Sequence, residues 1–344
     1  MAAKRSDGLN ARRGRILRII VGDYIESMAP VGSEHIARQH GLGVSSATIR
    51  NDMASLEEEG YIAQPHTSAG RIPSDKGYRY FVEVLMEQVE LPADVRHQVR
   101  SELAQDGDLE DITRSATTVL AQMVQTMGMV TVPRATKARL KHLELVSVQD
   151  TVALLIVVLH EGRVRQQLMH LDAPRQQDEL SALSNRLSNS LKGYSTTQVA
   201  QHAEGVAGLE EQVARAAARL MDAEDGPRAD DVHVGGLRPM LQEPEFGSSQ
   251  KLRTLMELVD DREFMLGLLG KLADSQETRV VIGGENPEES LKEFSMVVAP
   301  YGRPGEMGGT IAVMGPTRMR YGHVIAAVRY LADSMTDLMS EHYR

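Results

Sequence analysis

The chain has 344 residues, 42% of them hydrophobic, with no Cys, no Trp and only four Phe. That length points to two or three domains. The apolar fraction excludes a disordered chain, and the absence of thiols excludes disulfides, thiol catalysis and any Cys-based zinc site. The net charge of −10 argues against a nucleic-acid partner until its distribution is read: residues 1–80 hold eleven Lys+Arg and nine Asp+Glu, the rest 27 and 39. Only the end that meets phosphate has to be basic, and the first 22 residues carry six basic side chains against Asp7. No apolar segment at the start reads as a signal peptide, and the longest apolar run, 152–159, is eight residues. A membrane helix needs about 20. A soluble, cytoplasmic protein with no membrane partner is expected.

In chain order, residues 9–28 read as a helix, with Ile16, Ile19, Ile20 and Tyr24 on one stripe and Arg12, Arg13, Arg15 and Arg18 largely elsewhere. Pro30 ends it. Ser33 caps a short helix over about 34–39, Gly41 and Gly43 break that helix, and Ser45 or Ser46 starts a third. Ile49, Met53 and Leu56 at i, i+4, i+7 bury one face of the third helix, and Gly60 stands where a left-handed C-cap belongs. Short strands at 61–64 and 71–73 flank Pro65-His66-Thr67-Ser68-Ala69-Gly70, which reads as a wing. A helix over 75–89 buries Tyr78, Phe81, Val82 and Leu85, and 90–93 is a linker.

Further on, 94–127 reads as helical with a break at Gly107. Strands follow at about 140–148, 151–159 and 163–170; the middle one is apolar on both faces and is expected at the centre of a sheet. Helices recur at about 176–192, 208–222 and 248–273. Strands at 295–300 and 309–315 precede a last helix over 320–341, which carries Val324, Val328, Leu331 and Leu338 on one face.

Helix, glycine turn, helix with a polar leading end, tight hairpin: this is the order of parts in a winged helix-turn-helix, which sets one helix end in the major groove of DNA. The reading set is Ser45, Ser46, Thr48, Arg50 and Asn51. Hydroxyls and helix N-terminal amides suit phosphate oxygens. Arg binds guanine and Asn binds adenine bidentately, each pair discriminating by about 1–3 kcal/mol. In the wing, His66, Thr67, Ser68 and Arg71 are candidates, with Arg71 aimed at the minor groove or at phosphate. Arg13, in the basic cluster 12–18, is a phosphate candidate, and Lys76 and Arg79 reach for backbone or simply solvate a helix. Asp52 and Glu57–Glu59 lie further along and are expected to point away from phosphate. An ordinary capped surface helix and a solvated turn would explain each piece alone, but not all of them in this order.

Catalytic chemistry is missing. The acids form no motif, no His-x-x-x-His pair exists, and no Walker or Rossmann fingerprint is present. Gly41-Leu-Gly43, Gly283-Gly284 and the glycines of 302–309 read as turns, and His97, His142, His160, His170, His202, His233 and His323 have no ligand spacing. No enzyme activity, no cofactor and no metal are expected.

The run Gly-Leu-Gly-Val-Ser-Ser-Ala-Thr-Ile-Arg-Asn-Asp-Met (41–53), the later Gln-Pro-His-Thr-Ser-Ala-Gly-Arg-Ile-Pro-Ser-Asp-Lys-Gly-Tyr-Arg (64–79) and the C-terminal Gly-Thr-Ile-Ala-Val-Met-Gly-Pro-Thr-Arg-Met-Arg-Tyr (309–321) together resemble the bacterial heat-inducible transcription repressor family HrcA. The resemblance implies an α+β chain of three parts: an N-terminal winged helix-turn-helix over 1–90, a GAF-like α/β domain with an antiparallel sheet over 91–195 and 276–344, and an inserted helix-rich dimerisation domain over 196–275. It also implies a function. Such a repressor binds double-stranded DNA as a homodimer at an inverted-repeat operator, the CIRCE element, upstream of groE- and dnaK-type chaperone operons. The GroE chaperonin keeps it active, and heat shock draws the chaperonin away. The competing reading is a metabolite-sensing winged-helix regulator whose GAF-like domain holds a ligand; fold likeness alone does not choose between them.

Overall fold

The computed structural model describes residues 9–342 apart from 67–68, 105–107, 136–137, 161, 226–230, 248, 274–276 and 304–306. Helices and antiparallel sheets are mixed along it, giving an α+β chain. The chain forms two compact units, one built from 1–131, 232–301 and 310–341, the other from 132–231, 302–309 and 342–344.

The first unit opens with α1 (Ala11–Ser27), α2 (Ser33–Gln39) and α3 (Ser46–Glu58). Asn10 caps α1 by accepting from the Arg13 N–H at 2.9 Å, and Met28 ends it in the left-handed region at φ 56°. Ile16, Leu17, Ile20 and Val21 of α1 and Ile36 of α2 are completely buried, together with Ile49 and Leu56 of α3, so three amphipathic faces share one aliphatic core. Ile19 and Tyr24, expected on the buried stripe, sit at its margin, where Leu17 and Val21 take the inner positions. Strands β1 (Ile62–Ala63) and β2 (Ile72–Pro73) pair antiparallel as a hairpin. Val31 joins that hairpin by exchanging two backbone hydrogen bonds with Arg71, each 2.9 Å long. Gly70 has to be glycine here, because a Cβ would come within 2.5 Å of the Val31 carbonyl carbon.

Helix α4 (Asp75–Tyr80) runs on into a π-helical turn, Phe81–Leu85, so the single helix expected over 75–89 is shorter and changes pitch. Gly77 lies against the Tyr61 carbonyl, where any side chain would collide. Then come α5 (Ala93–Leu103) and α6 (Leu109–Val124); the expected break at Gly107 lies outside the described residues. Strand β3 (Met127–Thr131) begins at the last residue of the helix read over 94–127 and otherwise lies in a stretch to which the sequence assigns no element. Its five residues are all buried, so no alternation marks them as strand. β3 pairs antiparallel with β8 (Val232–Gly235) and β11 (Met307–Pro316), and β10 (Phe294–Gly302) lies between β11 and β9 (Arg279–Ile282). Helices α10 (Leu237–Gln242), α11 (Ser249–Asp260), α12 (Arg262–Leu272) and α13 (Tyr321–His342) complete the unit, and Asp261 splits the helical block expected over 248–273 by capping α12.

Long-range polar contacts tie the early helices of this unit to its late chain. Arg79 donates to the Glu285 carboxylate, with Nε 2.8 Å from Oε1, and to the Val280 carbonyl at 2.7 Å. Asp75 accepts from the Gly284 N–H at 2.8 Å.

The second unit holds a three-stranded antiparallel sheet in the order β5 (Leu140–Gln149), β6 (Val152–Leu159), β7 (Val164–His170), with α7 (Gln177–Leu191), α8 (Thr196–Glu204) and α9 (Leu209–Asp222). Short β4 (Arg134–Ala135) pairs with the start of β11. The middle strand β6 is central, as its composition suggests, but only alternate residues are covered: Ala153, Leu155, Val157 and Leu159 pack with Leu180, Leu183 and Leu187 of α7, while Val152, Leu154, Ile156 and Val158 face outward. Val146, Val148, Val164 and Leu168 extend that outer face and are 38%, 53%, 52% and 58% exposed. Cross-strand register aligns Val146, Leu154 and Leu168 in one row and His142, Val158 and Val164 in another. The free edge of β5 is closed by α7: the Ser184 and Ser188 hydroxyls accept from the Leu145 and Leu143 N–H groups at 2.9 and 3.0 Å, and Gln177 donates to the Leu145 carbonyl at 2.9 Å. Among the described residues no helix is long and apolar enough to cross a membrane.

Candidate nucleic-acid interface

Ser45 begins the site. It stands at φ −68° and ψ 155°, outside the helix, and its Oγ accepts from the Thr48 N–H at 3.2 Å while lying 3.0 Å from the Thr48 hydroxyl. This N-cap fixes where α3 starts. The first turn of α3 contains no acid, so the positive end of the helix dipole is left uncompensated. Ile49, Met53 and Leu56 are buried, and Ala47, Arg50, Asn51 and Ala54 are exposed, four residues at i, i+3, i+4, i+7 that make one stripe. Ser46 and Thr48 flank it, half-buried. The Arg50 guanidinium and the Asn51 amide have no partner among the described residues.

Behind the stripe, charge is neutralised internally. Asp52 turns inward, away from the exposed stripe: it is 5% exposed and receives two hydrogen bonds from Arg12, Nε to Oδ2 at 2.6 Å and Nη2 to Oδ1 at 3.1 Å. The Arg12 hydrogen bond holds the Asp52 carboxyl below its usual range against the opposing effect of burial, with a further contribution from the charge of Arg13. Arg13 donates to Glu59 at 2.8 Å and to the Ser55 hydroxyl at 3.1 Å, and its Nε is 3.6 Å from Asp52. Two arginines of α1 thus set the rotation of α3, a role that neighbouring sequence positions do not reveal because the partners are 40 to 46 residues away.

The hairpin is tied to the same helix. Arg71 donates from Nε to Glu57 at 3.0 Å and its side chain is 19% exposed; it reaches a groove only by leaving that carboxylate. His66 is exposed and its carbonyl accepts from the Ala69 N–H at 2.9 Å, closing the turn. Thr67 and Ser68 lie outside the described residues. Lys76 donates to the Glu59 carbonyl at 2.7 Å and sits 4.4 Å from the centre of the Tyr61 ring, so it holds the helix end, and Arg79 is engaged by Glu285. Of the described basic residues up to position 79, Arg15 and Arg50 are the two left without a partner.

A family model described as the HrcA protein C-terminal domain matches residues 110–325. A heat-inducible transcription repressor HrcA of Roseiflexus castenholzii is 40% identical, the alignment covering 97% of this chain and 96% of that one. Repressors of the same name from Herpetosiphon aurantiacus and Dehalococcoides mccartyi are 37% and 38% identical, each over 97% of this chain. A crystal structure of a hypothetical protein at 2.2 Å resolution superimposes with a TM-score of 0.61 at 22% identity over 97% of this chain and 99% of that one, a likeness of fold. The named relatives are repressors and not enzymes. Matched by the family model over more than half its length and by these repressors from end to end, the chain belongs to the HrcA family of heat-inducible transcription repressors.

Proposed function

We propose that this chain represses heat-shock genes by binding, as a homodimer, an inverted-repeat operator of the CIRCE type upstream of chaperone operons, with its active state maintained by the GroE chaperonin. Residues 1–90 act as a winged helix-turn-helix. The observation that carries this reading is the exposed polar stripe of α3, with Arg50 and Asn51 unpaired behind an acid-free first turn. Arg50 and Asn51 read base edges in the major groove, while Ser45, Ser46, Thr48 and the first amides of α3 take phosphate. His66, Thr67, Ser68 and Arg71 serve as the wing, and Arg13 contacts backbone phosphate.

An inverted repeat is matched by two-fold protein symmetry. The surface we propose for pairing is the outer face of β5–β6–β7, where Val146, Val148, Val164 and Leu168 are exposed and Leu154 and Ile156 are half-buried. The row of Val146, Leu154 and Leu168 and the pair Val158 and Val164 flank a mixed row of Glu144, Ile156 and Gln166. Exposed apolar rows of this kind mark an association site, and α7 removes the β5 edge from competition. This differs from pairing through 196–275, which the family resemblance implies.

The sensor reading has a foothold in a groove of about 360 Å³ in the first unit, lined by Ile25, Met123, Arg318, Arg320, His323 and Val324. Its central cation Arg318 is already engaged by Glu243 and Glu245, so the groove offers a metabolite little free charge.

Selection of bound fragments from a random DNA pool, with and without chaperonin, tests the proposal. Recovery of a two-fold repeat, enriched when chaperonin is present, is expected. A folded protein that recovers no sequence preference would overturn it.

A further inference from the structure

We propose that Asp23, His35 and His40 form a mononuclear site for a divalent cation of the zinc class, fastening α2 to α1 beside the reading helix. The three residues come from different places. Asp23 lies on α1, His35 in the first turn of α2, and His40 is the residue that ends α2. Histidines five apart on a continuous helix are rotated by about 140° and diverge. His40 leaves the helix at φ −111° and ψ 4°, which brings its ring back beside His35. The two imidazoles stand edge to face, centroids 6.1 Å apart, so they do not stack.

Both Nε2 atoms point at one oxygen. His35 Nε2 is 3.1 Å and His40 Nε2 3.0 Å from Asp23 Oδ2, and the three donor atoms lie within 4.8 Å of one another. Ligands at about 2.0–2.1 Å from a tetrahedral ion are separated by about 3.3 Å. The existing arrangement therefore needs only small side-chain adjustments to admit an ion among the three atoms.

Two imidazoles and a carboxylate are a borderline donor set that favours zinc, nickel, cobalt or copper over magnesium or calcium. Three protein ligands leave a fourth position for water, the pattern of an exchangeable site. Access comes through His35, whose side chain is 53% exposed, while Asp23 at 21% is held against the helices. The bound ion would restrain the end of α2 and, through the five residues 41–45, the start of α3 at Ser46. The inference is independent of whether α3 reads DNA, because ion uptake is measured without DNA.

The test is calorimetric titration of ZnCl2 into full-length protein stripped with a chelator. One ion per chain is expected, with a rise in Tm. Asp23→Asn and His40→Gln should each lower the affinity by more than about tenfold, the loss that removing even an outer-shell partner brings. Absence of saturable uptake at micromolar zinc, or unchanged uptake in both variants, would overturn the site. If either variant fails to fold by circular dichroism, spectra of [13Cε1]histidine-labelled wild type decide: zinc-dependent shifts at two imidazoles support the site, and none overturns it.

Discussion

Two exposed faces among the described residues have opposite chemistry. The stripe on α3 is polar and surrounded by spent charge, since Asp52 takes up Arg12, Glu57 takes up Arg71 and Glu59 takes up Arg13. The outer face of β5–β6–β7 is largely aliphatic, and its β5 edge is closed by Ser184 and Ser188. The difference teaches that exposure alone says little. What identifies each face is which neighbouring groups the fold has already satisfied, because those groups can no longer blur the choice of partner.

The comparison breaks most easily on the aliphatic side. Replacing both Val164 and Leu168 with Asp puts charges on two of the most exposed apolar positions of the proposed pairing surface, along β7. We expect a monomer in analytical ultracentrifugation and an operator affinity lower by about 100-fold or more, the loss of avidity between linked half-sites. A dimer that survives would move the interface elsewhere, with 196–275 the first place to look. On the polar side, Arg50→Ala is expected to cost about 1–3 kcal/mol in operator binding by gel-shift titration and to relax preference at one base pair. Unchanged affinity and preference would remove Arg50 from base reading.

Asp52→Asn sharpens the contrast between reading and bracing. It should lower folding stability by about 1–2 kcal/mol, since the arginines of α1 lose a charged acceptor. The sign with pH is fixed: the folded carboxyl titrates lower than the unfolded one, so its contribution is complete above the ordinary Asp value of about 3.9 and vanishes as pH falls through the folded value. The gap in Tm between wild type and Asp52→Asn should therefore be widest near neutrality and close in acid; a gap constant with pH would assign the effect to packing. The smallest change is expected of Arg13→Ala, which should flatten the salt dependence of DNA binding by about one unit. An unaltered slope would leave Arg13 only its bracing contacts with Ser55 and Glu59.

Local signals were the readable ones. Ser45 caps α3, the spacing of Ile49, Met53 and Leu56 marks its buried side, Gly60 takes φ +78°, and the composition of β6 marks a central strand. Partnerships across long separations were not readable. Nothing near Arg71 announces Glu57, and nothing near Asp23 announces His35 or His40. β3 went unread because it is buried on both sides and pairs with strands that begin about a hundred residues later or more. β6 is central, as its composition suggests, but its sequence does not show what faces its outer row, because an apolar row looks the same whether a helix, a second copy or water covers it.

The bond between Arg79 and Glu285 spans 206 residues. A ribosome adding about 5–20 residues per second delivers the second partner some 10–40 s after the first. Throughout that interval the emerging helices lack the carboxylate and the loop amide that later anchor α4. Synthesis therefore passes through a long stage in which α4 stands without its late anchors, and the proposed reliance on a chaperonin would be felt first in that interval.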